Sequence, residues 1–194
     1  MTANWNEQVR LELLESAETK RFIGQNHVEP IVRGTKLIVD SFRAGGKLLL
    51  CGNGGSAADC QHIAGEFVGR LSNTYLRAPM PAISLTVNTS NLTALGNDYG
   101  FAEVFARQLD AIGKKGDVLM AISTSGNSEN ILNAVIRAKL LGIATVGLLG
   151  RSGKLKDAVD VAIAVPSDNT QRIQEAHITI GHIICHLVEQ AVNS

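Results

Sequence analysis

Apolar residues recur along the chain at two different spacings, which separate helical regions from strand-like regions. From about residue 6 to residue 43 they recur at three- and four-residue steps, as at Val9 and Leu13, and this spacing predicts two helices. Gly45 follows and is expected to end the second helix. The same spacing returns from about residue 171 to residue 192, where it predicts a long terminal helix.

Between these helical regions, compact apolar runs are followed by glycine- or serine-rich turns and then by further helical patterns. The runs are continuous rather than alternating, which is typical of parallel strands covered by helices on both faces. The sequence therefore predicts an α/β fold with a doubly wound, mainly five-stranded parallel sheet, preceded by the helical pair. The predicted strands are Lys47–Cys51, Ala82–Thr86, Val118–Ser123, Ala144–Leu149 and Val161–Val165.

Length and charge narrow the possible functions. A chain of 194 residues can form one domain with a substantial core but is short for two, so we expect a single domain over residues 1–194. Eighteen basic and eighteen acidic residues cancel, leaving no broad positive field to hold nucleic acid or an anionic membrane. We therefore expect neither partner, and an anionic small substrate would have to be bound locally.

Compartment is indicated by the cysteines and by the N-terminal segment. Cys51, Cys60 and Cys185 are odd in number, scattered and without C-x-x-C spacing, which argues against a disulfide framework and a thiolate zinc site. The N-terminal segment is charged and amphipathic rather than basic and then apolar, and no stretch approaches eighteen apolar residues. These features predict a cytoplasmic protein.

Two loops at predicted strand ends carry candidate binding chemistry. Cys51–Ser56 contains three glycines, which let a backbone approach an anion, and a helix with free N–H groups follows it. Ser123–Ser128 offers four hydroxyl groups and a glycine. Neither loop has the lysine of a Walker loop or matches G-x-G-x-x-G. Each loop could simply form a turn and an N-cap, but two of them at strand ends favour a phosphate site.

Candidate acid–base or metal-binding side chains lie on two predicted helices. His62 and Glu66 are four residues apart and share a helix face, as two ligands of one ion or substrate would. His182 on the terminal helix is accompanied by His177 and His186. The first pair could instead be a solvated surface pair, and a histidine among apolar residues is often a hydrogen-bonded core residue. Spacing alone does not choose among the terminal histidines.

Four sequence segments together carry a resemblance to known proteins. They are CGNGGSAADCQHIAGEFVGR at 51–70, LTALGNDYGF at 92–101, AISTSGNS at 121–128 and RIQEAHITIGH at 172–182. The element ISTSGNS occurs in many sugar isomerase (SIS) domains and is associated with sugar phosphates. In combination with CGNGGSAAD, the His62–Glu66 pair and the terminal RIQEAH, it resembles the phosphoheptose isomerase family of SIS domain proteins in particular.

The resemblance implies an aldose–ketose isomerase that interconverts sedoheptulose 7-phosphate and D-glycero-D-manno-heptose 7-phosphate, an early step towards activated heptoses. It implies zinc bound by His62, Glu66, Gln174 and His182, with Glu66 and His182 as the catalytic pair. It also implies a homotetramer. The substrate contacts that it implies are Asn53, Gly54, Gly55, Ser56, Glu66, Asn97, Asp98, Ser123, Thr124, Ser125, Ser128 and Gln174.

The zinc site implied by the resemblance raises a geometric difficulty. On one straight helix, Gln174 and His182 would lie about 12 Å apart along the axis, whereas zinc–ligand bonds are about 2 Å long. A helix that begins after Gln174, or a ligand from a neighbouring chain, would relieve this difficulty. We therefore expect an active site completed at a subunit interface.

Three features depart from the usual pattern of this family. Cys60 stands where alanine is common, Asn88 where an acidic residue is frequent, and the segment 149–154 differs from T-G-x-D-G-G. Two other classes share the fold, a non-catalytic SIS protein such as a replication-initiator-associating factor and a sugar-phosphate-sensing regulatory domain. Retention of Glu66 and His182 disfavours the first class. Dispersed basic residues and the lack of a DNA-binding segment disfavour the second.

Overall fold

A computed structural model describes residues 4–71 and 77–193. The chain begins with helices α1 (Trp5–Asn26) and α2 (Val28–Arg43), which are separated at His27. The predicted helical pair is therefore confirmed. Gly45 follows α2 with φ +79°, a left-handed conformation that glycine adopts without strain and that suits the end of a helix.

All five predicted strands are present. Their bounds are β1 (Leu48–Gly52), β2 (Ala82–Ser84), β3 (Val118–Ser123), β4 (Ala144–Leu149) and β5 (Val161–Ala164). β3 and β4 have the predicted bounds, whereas β2 is two residues shorter at its end. There the Oγ1 atom of Thr86 lies 2.7 Å from Oγ of Ser84, within a turn.

Within the part of the chain that the structure describes, six further helices connect or follow the strands. They are α3 (Gly55–Val68), α4 (Thr89–Tyr99), α5 (Ala106–Ile112), α6 (Glu129–Leu140), α7 (Leu155–Ala158) and α8 (Thr170–Asn193). A 3-10 turn, Phe101–Glu103, precedes α5. None of the helices within the described residues combines the length and apolar character needed to span a lipid bilayer.

The strands form one parallel sheet in the order β2-β1-β3-β4-β5, which confirms the predicted doubly wound fold. Successive residues of β1 face opposite sides of this sheet. Leu48 and Leu50 pack in a core with side chains of α2, α3 and α8, while Leu49 and Cys51 pack in a second core with α5 and α6. Burial on both sides explains why the strand sequences are continuously apolar.

The direction of winding reverses between β1 and β3, and this reversal positions the candidate site. β1 leads into α3 in one helical layer, whereas its neighbour β3 leads into α6 in the other layer. The loops after these two strands therefore diverge and leave a crevice at the carboxyl ends of the strands. Ligands of doubly wound proteins bind at such switch points.

Helix α1 extends along the molecule with few contacts of its own. Ile23 is its one buried residue, whereas Trp5 is 78% exposed and Leu13 67% exposed. A buried arginine on α8 connects the two helices through ion pairs. Nη1 of Arg172 lies 2.6 Å from Oε2 of Glu12 and 3.1 Å from Oε2 of Glu15 on α1. The apolar residues left uncovered on α1 are a surface that this chain alone does not bury.

Candidate active site

The glycine-containing loop turns sharply between β1 and α3. Gly54 has φ +56°, and Gly55 is the first residue of α3. The turn closes through backbone bonds, since N–H of Ser56 donates to the carbonyl of Asn53 at 3.0 Å. The loop therefore presents the N-terminal end of α3 at the switch point, where a helix attracts anions.

An asparagine pair joins this loop to the other helical layer. Nδ2 of Asn53 donates to Oδ1 of Asn130 at 2.9 Å, and Nδ2 of Asn130 donates back to Oδ1 of Asn53 at 3.0 Å. Asn130 is buried in the first turn of α6. The sequence pattern did not predict a role for Asn130, and the one signal for it was an amide side chain two residues after the serine loop.

The hydroxyl groups of the serine loop lie close together. Oγ of Ser123 is 3.3 Å from Oγ of Ser128 and 3.5 Å from Oγ of Ser125. Ser128 is the N-cap residue of α6, but its side chain makes no capping bond. The loop thus brings three neutral donors to the N-terminal end of a helix, as the sequence predicted for this segment. Thr124, beside them, is half-buried.

The segment after β4 supports the serine loop through backbone contacts. N–H of Leu155 donates to the carbonyl of Gly126 at 2.9 Å. A β-carbon on Gly150 would lie 2.1 Å from the carbonyl oxygen of Thr124, and one on Gly153 would lie 2.6 Å from Cα of Gly126. Glycine is therefore required at both positions. The segment 149–154, which departs from the family pattern, keeps the glycines that this packing needs.

The two helices of the acid–base candidates meet at a cluster of three side chains. Nε2 of His62 lies 2.8 Å from Nε2 of His182 and 3.3 Å from Oε1 of Glu66. One ligand atom from each residue falls within 4.8 Å of the others, so a single metal ion could reach all three. Two imidazoles and a carboxylate are a donor set that zinc favours.

Gln174 lies elsewhere along the same pair of helices. A β-carbon on Gly55 would be 2.5 Å from Nε2 of Gln174, so this side chain occupies the space beside the first residue of α3. His62 is seven residues further along α3, or about 10 Å along the helix axis. Helix α8 begins at Thr170, so Gln174 is helical and the late-starting helix is excluded. Its role as a fourth ligand stays a prediction.

The other histidines of α8 have surroundings that separate them from the cluster. His177 is fully buried, its Nε2 lies 3.1 Å from the carbonyl oxygen of Leu149, and burial lowers its pKa to about 4. His186 is exposed and its Nε2 lies 3.1 Å from Nε2 of Gln190. His177 is therefore a core residue that binds the end of β4, an alternative that the sequence had left open.

The remaining sequence candidates lie on α3 and α4. Asn97 and Asp98 are exposed on α4, where Nδ2 of Asn97 donates to Oδ1 of Asp98 at 2.8 Å, and their contact with substrate stays a prediction. Asn88 accepts a bond from N–H of Asn91 at 3.0 Å and so acts as the N-cap of α4. Burial raises the pKa of Cys60 well above its usual value, which excludes a thiolate nucleophile there at neutral pH.

Comparison with known proteins gives one consistent family. A model of the SIS domain matches residues 14–150. The phosphoheptose isomerase of Nitratiruptor sp. is 50% identical over 186 residues, which are 95% of this chain and 98% of that protein. The phosphoheptose isomerase of Aquifex aeolicus is 49% identical over 187 residues, covering 96% of this chain and 97% of that protein.

Solved structures agree with these sequence matches. The phosphoheptose isomerase of Neisseria gonorrhoeae has a TM-score of 0.88 at 42% identity, covering 96% of this chain and 100% of that chain. The enzyme of the same name from Francisella tularensis has a TM-score of 0.92 at 36% identity, covering 98% of this chain and 100% of that chain. With relatives half identical over nearly its whole length, this chain belongs to the phosphoheptose isomerase family of SIS domain proteins.

Proposed function

We propose that this chain is an aldose–ketose isomerase that interconverts sedoheptulose 7-phosphate and D-glycero-D-manno-heptose 7-phosphate. The observation that carries the proposal is the cluster of His62, Glu66 and His182, which two helices bring together in one chain of this family. Proteins that only bind a sugar phosphate do not need an acid–base pair, so the retained pair favours catalysis over a binding or regulatory role.

The reaction requires two separate places in the site. The carbonyl moves between C1 and C2, whereas the phosphate is on C7, at the other end of the sugar chain. The serine loop and the start of α3 lie at the switch point, and the cluster lies about 10 Å further along α3. We assign the phosphate to Ser123, Thr124, Ser125 and Ser128, and the sugar to the remaining candidates, namely Asn53, Gly54, Gly55, Ser56, Asn97, Asp98 and Gln174.

Proton transfer is assigned to two members of the cluster. Glu66 removes the proton from the carbon beside the carbonyl and returns it to the neighbouring carbon, because a carboxylate is the basic group at hand. His182 moves protons between the two oxygens of the enediol, since an imidazole can both accept and donate near neutral pH. Hydrogen-bond donors around the oxygens stabilise the charge that develops on them.

Zinc is the metal that we propose for the cluster. His62 and His182 present nitrogens 2.8 Å apart and Glu66 an oxygen nearby, a donor set that fits this ion. When bound, the ion supplies Lewis-acid polarisation of the substrate carbonyl. The predicted ligands are His62, Glu66, Gln174 and His182. A side chain that binds the ion through an atom cannot exchange a proton freely at that atom. We therefore expect at least one of these four residues to change its role during the reaction.

We also propose a homotetramer in the cytoplasm. The uncovered apolar residues of α1, with Trp5 78% and Leu13 67% exposed, need a partner surface that a second copy would provide. The three free cysteines are buried, which suits a reducing compartment. Light scattering tests the first proposal, because a stable and fully active monomer at assay concentration would contradict an obligatory shared site.

Turnover of sedoheptulose 7-phosphate, followed by NMR with and without zinc, tests the function. The proposal predicts conversion to an aldoheptose 7-phosphate, with a rate that falls on chelation and returns with zinc. A protein that binds the sugar phosphate but never converts it would instead be a binding or regulatory member of the fold. Fructose 6-phosphate is the control substrate, because it carries its phosphate one carbon nearer the carbonyl.

A further inference from the structure

A buried ion pair joins the segment before β2 to helix α8. Nε of Arg77 donates to Oε1 of Glu189 at 2.8 Å, and the two side chains are 2% and 0% exposed. Burial of two charges is costly unless nearly every donor and acceptor finds a partner. The other bonds of this pair therefore indicate what it holds in place.

Arg77 binds the last turn of α3. Its Nη2 donates to the backbone carbonyl of Glu66 at 2.7 Å and its Nη1 to that of Phe67 at 2.8 Å. The last carbonyls of a helix accept no hydrogen bond from within the helix, and the helix dipole favours a positive charge beside them. The guanidinium therefore caps α3 at the backbone of the residue to which we assign proton abstraction.

Glu189 provides the second half of the connection. It lies on α8 seven residues after His182, or about 10 Å along the helix axis. Its Oε1 also accepts from N–H of Leu71 at 3.1 Å, directly beyond the end of α3. The pair thus bonds the end of α3 to α8, which are the two helices that carry Glu66 and His182.

We infer that Arg77 and Glu189 are positioning residues for the acid–base cluster, an inference that rests on the proposed function. They hold the backbone of Glu66 and set the distance of α3 from α8, and neither has a place in our assignment of substrate contacts. A displacement of about 1 Å at a reacting group can cost about a hundredfold in rate. A fixed junction at the end of α3 limits such displacement, because Glu66 lies in the last turn of that helix.

The inference is tested with Glu189→Gln, which keeps the side-chain shape, and Arg77→Met, which removes the cap. The matched control is Lys47→Met. It breaks another largely buried pair, Nζ of Lys47 to Oδ2 of Asp117 at 2.6 Å, which joins the residues just before β1 and β3 and involves neither α3 nor α8. Urea unfolding at one protein concentration shows which variants lose comparable stability.

We expect both pair variants to lose about tenfold or more in kcat with little change in KM, and to bind zinc more weakly, because the cluster spans both helices. Arg77→Lys should recover part of the rate, since it keeps the charge but not the fork of donors. Lys47→Met should keep the kcat and zinc affinity of the parent. Glu189→Gln decides alone if Arg77→Met does not fold.

Two results would overturn the inference. One is that folded pair variants keep the parent's kcat and zinc affinity. The other is that Lys47→Met, at a stability matched to theirs, loses as much kcat and zinc affinity as the pair variants do. Nitrogen-15 spectra of the histidine rings in metal-free protein separate this inference from the proposed function. Even if the parent does not isomerise the substrate, the pair variants should change the signals of His62 and His182, and unchanged signals would refute the positioning role.

Discussion

His177 and His182 lie five residues apart on α8, and their surroundings give them different chemistry. His177 is fully buried and bonded to the end of β4, whereas His182 is partly exposed and faces His62. The spacing of these residues in the sequence shows only that their imidazoles lie at successive turns of one helix. Which ring enters the core depends on how α8 rotates against the sheet, and that rotation is fixed by tertiary packing.

The burial of His177 predicts a pH dependence of stability. Its pKa is about 4 in the folded chain and near 6.5 when unfolded, so between these values the unfolded state binds a proton that the folded state does not. Stability from this residue is present above pH 6.5 and is lost as the pH falls towards 4. Between pH 7 and pH 5 the loss should be about 2 kcal/mol.

Urea unfolding of the parent and of His177→Gln at both pH values measures this loss. The parent should lose about 2 kcal/mol more than the variant on acidification, even if the variant is less stable throughout. Equal losses in the two proteins would mean that His177 does not titrate in this way.

At the scale of elements, strand positions were predictable and loop contacts were not. Continuous apolar runs identified all five strands, because burial on both faces leaves a plain signal in sequence. The contacts of Gly150 with Thr124 and of Gly153 with Gly126 left no comparable signal, since they join backbones 26 and 27 residues apart in the chain. The pairing of Asn53 with Asn130 likewise could not be predicted, because it depends on β1 and β3 being neighbours in the sheet.

The serine loop should be the main source of affinity for the phosphate. Each hydrogen bond lost to a charged group costs roughly 1.5–3 kcal/mol, so Ser125→Ala and Ser128→Ala should each weaken binding of sedoheptulose 7-phosphate at least about tenfold. Calorimetric titration measures this. Ser41→Ala is the control, because the hydroxyl group of Ser41 donates to the carbonyl of Gly116 just before β3, at the opposite end of this strand from the serine loop. If both loop variants bind the substrate with the affinity of the parent, the serine loop does not bind the phosphate.

The glycine support of that loop can be tested separately. Gly153 has φ +118° and no room for a β-carbon against Gly126, so Gly153→Ala should displace the serine loop. We expect substrate affinity to fall by about tenfold or more while the hydroxyl groups remain present. Gly24→Ala is the matched control, since nothing lies within 4 Å of its added carbon. Equal affinities for Gly153→Ala and the parent would show that the segment 149–154 does not position the loop.

For the whole molecule, the doubly wound class of the sheet was predictable from the alternation of strands and helices, whereas the assembly was not. The apolar spacing of the first helical region predicted a helix, and most of the apolar side of α1 is uncovered in one chain. Sequence spacing shows that a helix has an apolar side but not whether its own sheet or another copy covers it. Gln174 is likewise separated from the cluster within one chain, and we expect a neighbouring chain to complete the site.

Mixed oligomers test which chain supplies the catalytic pair. His182 and Glu66 meet within one chain, so subunits with Glu66→Gln and subunits with His182→Ala should not restore each other. If the two groups came from different chains, random mixing would rebuild about a quarter of the sites. Activity of refolded mixtures, compared with mixtures of parent and variant subunits, measures the recovery. A quarter of the parent's rate would contradict a pair within one chain.

The most direct test of the central claim is solvent deuterium exchange into sedoheptulose 7-phosphate by the parent and by Glu66→Gln. We predict that the zinc-supplemented parent incorporates deuterium at the carbon that loses and regains its proton during isomerisation. Glu66→Gln should still bind the substrate, since the amide keeps the shape of the carboxyl group, but its exchange should fall about a hundred- to ten-thousand-fold. Exchange at the parent's rate in this variant would show that Glu66 is not the base.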